Sequence, residues 1–209
     1  MLATEFIDSG WSFRHLHRLI VSSETYALSA STAAASPDNL TRDPNNQFLW
    51  KMNSRRMESQ VIRDSLLFLA GELDPKVGGA SIDPGPEVRR RSIYFKHSRD
   101  QKNSFLEMFD NADILQCYRR SESIVPQQAL ALSNSRLSIE MANQIAKNLY
   151  KKTKTRTTSE FINATFALIL TRPPSAPEKN ACENYFAHMD KLEQVSSAAQ
   201  IRARFVQAI

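Results

Sequence analysis

Apolar residues recur at three- and four-residue spacing along much of the chain, a period that predicts helices. In SFRHLHRLIVSSETY, Phe13, Leu16, Leu19 and Ile20 form one stripe. In SRRMESQVIRDSLLFLAGEL, Met57, Val61 and Leu69 supply a buried side, and Gly71 lies where that helix ends. SNSRLSIEMANQIAKNLYKK repeats the pattern through Leu137, Met141, Ile145 and Leu149. Thr157 with Glu160, and Ser175 with Glu178, are hydroxyl–carboxylate pairs three residues apart, which satisfy backbone donors at a helix start. Phe161, Thr165, Leu168 and Ile169 make the core face after the first pair. TRPPSAPE is a stop and restart between two helices, and AAQIRARFVQAI begins a last helix cut off at Ile209.

Between these segments the pattern breaks. SASTAAASPDNLTRDPNNQ is small, polar and turn-forming, and reads as a long surface loop. DPKVGGASIDPGP holds three of the five glycines and three of the nine prolines, punctuation that excludes regular structure and marks a break between lobes. RRRSIYFKHS carries the only strand candidate, and NSFLEMF a short helix. Pro126 suits the first position of the next helix, which needs no N–H there. The expectation is a mainly α, bundle-like domain of many helices with long loops and at most one short strand or hairpin. Its parts are an N-terminal helical lobe (1–74), a Gly/Pro-rich junction (75–104) and a C-terminal helical lobe (105–209), together one structural domain.

Composition adds little to this. With 209 residues, 42% hydrophobic and 23% charged, the chain is ordinary globular material able to bury a core. A net charge of +5 permits an acidic partner without demanding one. SLLFLAG and ATFALIL are too short to span a bilayer. MLATEFIDSGW has no basic region followed by an apolar one, so it is not a signal peptide. Cys117 and Cys182 form no redox or zinc spacing, and two buried thiols are favoured over one disulfide.

Candidate chemistry is sparse. Asp110, Asp113, Arg119 and Arg120 could hold an ion or an anionic substrate, because guanidinium groups fork onto carboxylate or phosphate. The favoured reading is structural: these charges pair and pin a loop against the helix begun at Pro126. Cys117 lacks a base and an orienting group beside it in sequence. His15 and His17, two apart, point to nearly opposite sides of a helix and cannot grip one metal ion. His97 stands near Asp100 with nothing to complete a catalytic set. Arg56, Gln60, Arg63 and Asp64 could form one polar strip, either facing a cleft or sealing a buried seam. Arg89, Arg90 and Arg91, with Lys151, Lys152, Lys154 and Arg156, could bind a polyanion, although cations at a helix C-terminus are favoured by the dipole alone. No aromatics interleave with them as a stacking platform requires, so nucleic acid is disfavoured. Nucleotide-binding, nucleophile-elbow and metal-ligand motifs are absent.

Six blocks, in order, resemble one family: GWSFRHLHRLIVSSETY, DPNNQFLWKMNSRRMESQVIRDSLLFLAGELDPKVGG, RRRSIYF, FLEMFDNAD, CYRRSESIVPQQALALSNS and LILTRPPSAPE. They resemble domain of unknown function 1553, the planctomycete-specific PSD family. The resemblance implies a fragment of a long, extracytoplasmic, multidomain protein, often with a cytochrome-c-like domain upstream, and no established activity. It also implies that the domain is truncated at both ends and that Met1 is an internal start. Two departures stand out: Gln60 where the family usually has an acid, and Ala112 where it usually has proline. The first removes one member of a carboxylate pair.

The expected function is that of an accessory or interaction domain in a larger cell-envelope protein. It would lack chemistry and cofactors of its own, and its partners would be upstream domains or another envelope protein. The alternatives are a hydrolase-like domain acting on an envelope or environmental polymer, and a polyanion-binding module.

Overall fold

Short polar side chains decide where several helices begin. Ser12, Ser36, Asn103, Thr157 and Ser197 each accept a backbone N–H from the first turn that follows, satisfying a donor the helix itself cannot. The computed structural model describes the chain except residues 34, 116–122, 124, 154–156 and 192–196. Two units, Met1–Arg56 and Met57–Ile209, divide it.

The first unit holds α1 (Leu2–Asp8), α2 (Phe13–Val21) and α3 (Pro37–Arg42). Phe6 packs its ring against Trp11 and Phe13, with centroids 5.3 and 5.0 Å away. The stripe on α2 is only partly covered, for Leu16 and Leu19 are half-buried while Phe13 and Ile20 are exposed. The buried residues described in this unit are polar: Asp43 and Asn46. Helix α3 interrupts the expected surface loop, because Ser36 caps it and Pro37 fixes φ at its first position.

The second unit holds α4 (Ser59–Ala70), a 3₁₀ turn (Ser92–Tyr94), α5 (Ser104–Met108), α6 (Pro126–Asn134), α7 (Arg136–Thr153), α8 (Thr158–Ile169), α9 (Ala176–Lys191) and α10 (Ala198–Ala208). The period of α7 buries Met141, Ile145 and Leu149, and this helix packs on α4, α6, α8 and α10. Ile162, Phe161, Phe166 and Thr165 bring α8 into the same core. Phe186 and Phe205 meet at 4.9 Å between α9 and α10, with Phe161 edge-on to Phe186 at 6.3 Å. Leu67 and Ile162 are wholly enclosed, each contributing about 1.5–3 kcal/mol of apolar burial. Gly71 closes α4 at φ 75°, a left-handed conformation open to glycine at little cost.

The fold is mainly α, as the apolar period indicates. Two details differ. The strand candidate is the 3₁₀ turn, flanked by isolated parallel bridges Asp74–Arg90 and Ile82–Phe95, with no strand among the described residues. Helix α4 begins at Ser59, not near residue 54, and its buried face is Ser59, Arg63, Leu67 and Ala70. Met57 precedes the helix and is exposed, as is Val61; Leu69 is half-buried. The buried face thus includes the Arg63 guanidinium, a member of the polar strip read from the sequence. The Gly/Pro-rich segment lies inside the second unit.

Candidate functional site

The irregular segment after α4 needs partners for its backbone groups, since few fall in regular structure. Some come from the bridges: Asp74 N–H donates to the Arg89 carbonyl at 2.9 Å, Ile82 N–H to Tyr94 at 2.9 Å, and Lys96 N–H to Ile82 at 2.8 Å. The rest come largely from arginine. Arg63, 2% exposed, donates to the carbonyls of Val88 at 2.5 Å and Arg90 at 3.0 Å and to Ser92 Oγ at 3.1 Å. Its guanidinium lies 4.6 Å from the Phe95 ring centroid and 3.3 Å from Asp64 Oδ1. Burial pushes the Arg63 guanidinium below its ordinary value, and the Asp64 charge and hydrogen bond oppose that shift.

Asp64 completes the fastening. Its carboxylate accepts the Ser92 N–H at 2.9 and 3.1 Å and the Ser92 hydroxyl at 2.6 Å, with Arg91 Nε at 3.9 Å. Arg90 repeats the device nearby, stacking 4.1 Å over Tyr94 and donating to the carbonyls of Lys76 and Gly78.

Between α4, this segment and α5 lies a cleft of about 600 Å³. Val61, Phe68 and Phe95 give it apolar walls, and Asp64, His97 and Glu107 are among its polar lining. A chain of amides crosses it: Gln60 Nε2 donates to Asn111 Oδ1 at 2.8 Å, and Asn111 Nδ2 to Glu107 Oε1 at 3.0 Å. Glu107 also faces Lys102 at 3.5 Å. Lys96, on the rim, pairs with Asp83 at 2.7 Å.

The expected polar strip is therefore divided. Arg56 falls before α4 and in the first unit, Arg63 is buried, and Gln60 and Asp64 line the cleft.

Asp110 and Asp113 do not line the cleft. Asp110, at φ 57°, accepts the Ser123 N–H at 2.8 Å, the Ser123 hydroxyl at 2.7 Å and Gln128 Nε2 at 3.4 Å. Asp113 accepts the Leu115 N–H at 2.7 Å, a local turn. Arg119, Arg120 and Cys117 lie outside the described residues. Gln128, buried in the first turn of α6, was not singled out from sequence. Its signal was available: an amide two positions after the Pro126 that opens a helix.

Among the described residues, the basic clusters sit near opposite ends of α7. Arg89 contacts Glu140, near the start of α7, at 3.6 Å, whereas Lys151 and Lys152 occupy its last turn. Lys151 lies eleven positions after Glu140, about 16 Å along the axis. Arg89 also donates to the Pro86 carbonyl at 3.0 Å, Lys151 and Lys152 are exposed, and Lys154 and Arg156 lie outside the described residues.

His15 sits 3.5 Å from Glu5 and His17 beside Phe13, and no acid–imidazole–thiol group able to hold a metal occurs among the described residues. Cys182 is free and half-buried; burial, then the Glu178 and Glu183 charges, push its thiol above the ordinary value. No described helix is long and apolar enough to cross a membrane.

No curated protein and no solved structure matches the chain. A family model, PSD1, described as a protein of unknown function (DUF1553), matches residues 1–186 of the 209, and the chain belongs to that family.

Proposed function

We propose that the chain is a helical accessory or interaction domain of a larger cell-envelope protein, extracytoplasmic and without chemistry of its own. Its partners are upstream domains of the same polypeptide or another envelope protein. The observation that carries this reading is the commitment of Asp64, which takes both donors of Ser92, its N–H shared between the two carboxylate oxygens and its hydroxyl, while facing the buried Arg63. A general base needs a carboxylate within reach of a substrate proton, and this one is occupied by the fold. Glu107 is likewise bound by Asn111 and Lys102. Arg89 and Arg90 reach acceptors of the fold itself, which weakens the case for a polyanion module.

A hydrolytic reading is favoured by one feature, the 600 Å³ cleft, which has the volume of a small-substrate site and exposes His97. The test assays the purified chain against chromogenic phosphate, carboxylate and glycoside esters and a mixed peptide substrate. The interaction reading expects no turnover, and it expects Asp64→Asn to lower the melting temperature. Turnover that His97→Ala abolishes, with the melting temperature kept, overturns it in favour of catalysis.

A further inference from the structure

The loop after α3 holds two large apolar side chains away from the body of the first unit. Phe48 is 84% exposed and Leu49 51%. Water ordinarily drives such a pair onto the nearest apolar surface. Here the backbone beneath prevents it. Buried Asp43 accepts the Gln47 and Phe48 N–H groups, both at 2.8 Å, and its carbonyl takes the Trp50 indole N–H at 2.9 Å. Buried Asn46, at φ 56°, donates to the Lys51 carbonyl at 2.8 Å and to Asn53 Oδ1 at 2.9 Å, and accepts the Lys51 N–H at 3.1 Å. Between these anchors Leu49 adopts φ 53°, a left-handed conformation that is costly for a side chain of this kind. The polar network thus imposes a rigid apolar tip.

Charge indicates what the tip meets. Lys51, Arg55 and Arg56 follow it with no acid among them, and the acid before it, Asp43, has both oxygens occupied. Lys51 Nζ lies 5.3 Å from the Trp50 ring centroid. Exposed Phe and Leu, an adjacent indole and flanking cations are the residue set of an interfacial element: apolar groups enter the headgroup boundary while cations meet lipid phosphates. We propose that residues 47–51 dock the chain peripherally on an anionic membrane surface, with Phe48 and Leu49 entering it and Lys51 and Arg55 engaging the phosphates. The tip lies in the first unit, so this inference does not depend on the role of the cleft beside α4.

The test uses the full chain with phosphatidylcholine vesicles containing about a quarter phosphatidylglycerol, read by cosedimentation. In a Trp11→Phe background, Trp50 is the only indole and its emission should shift to the blue on binding. Lys51→Ala with Arg55→Ala should weaken binding about thirtyfold, roughly fivefold per cation. Phe48→Asp should abolish binding, with the circular dichroism spectrum unchanged because the side chain is solvent-exposed. Absence of binding by the folded wild-type chain, or unaltered binding by Phe48→Asp, overturns the proposal. A wild-type dimer that Phe48→Asp converts to monomer, with no vesicle binding by either, also overturns it and assigns the tip to a second copy.

Discussion

Substituting methionine for Arg63 removes a nearly enclosed cation and retains much of its stem. The change takes donors from the carbonyls of Val88 and Arg90 and the counter-charge from Asp64. An unsatisfied buried carbonyl costs about 1–3 kcal/mol, the low end applying to half-buried Val88 and Arg90, and breaking a buried ion pair from one side costs about 3–5 kcal/mol. These figures overlap rather than add, because one guanidinium supplies all the contacts. The Asp64 side chain is 17% exposed and keeps Arg91 at 3.9 Å, which favours the low end. The expected loss is about 3 kcal/mol, or about 6–12 °C in melting temperature for a chain of this length. Arg63→Lys keeps the charge but not the planar fork, and should lose about 1–2 kcal/mol. Both tryptophans, Trp11 and Trp50, lie in the first unit, so far-UV ellipticity rather than fluorescence must follow the second. Urea unfolding should show a lower midpoint at unchanged slope. A midpoint for Arg63→Met equal to wild type would refute the fastening role.

Two smaller perturbations test helix ends in the second unit. Gly71→Ala should cost about 1 kcal/mol through its left-handed φ alone, since an added Cβ meets only Asn148 Nδ2 at an ordinary 3.7 Å; thermal unfolding reads it. Glu178 is held well below the usual carboxylate range, first by the Arg172 side chain and then by the Ser175 N–H and hydroxyl. A depressed carboxylate contributes stability that is present above its unfolded value, about 4.3, and lost as pH falls through the folded one. Glu178→Gln should therefore melt slightly below wild type at neutral pH, and the gap should narrow steadily in acid. Exposure to solvent keeps the effect small.

Local signals were legible and distant pairings were not. The period of α7, the Thr157 cap, the Ser175–Glu178 pair, Pro126 and Gly71 all act within one or two turns, and each falls where the sequence puts it. On α4 the apolar pattern pointed to Met57, Val61 and Leu69, whereas burial runs through Ser59, Arg63, Leu67 and Ala70. No period marks Arg63 as interior, because its partners lie 25–29 residues downstream in a segment without periodicity. Helix α3 was missed because six residues are too few for a stripe, although Ser36–Pro37 is a start signal. Asp110 or Asp113 was expected to pair with Arg119 or Arg120, which lie outside the described residues; the described partners of Asp110, Ser123 and Gln128, are neutral side chains that carry no charge pattern to follow.

Hydrogen exchange at the Ser92 amide is the most direct probe of Asp64 as a structural clamp. In the wild-type chain this amide, bound at 2.9 Å to the carboxylate, should exchange slowly for a residue in an irregular segment. In Asp64→Asn its protection should fall at least about tenfold while amides in α7 and α8 keep theirs, the loss of a charge-assisted bond worth about 1.5–3 kcal/mol. Unchanged protection at Ser92 would contradict the clamp and return Asp64 to the cleft as a group free for chemistry.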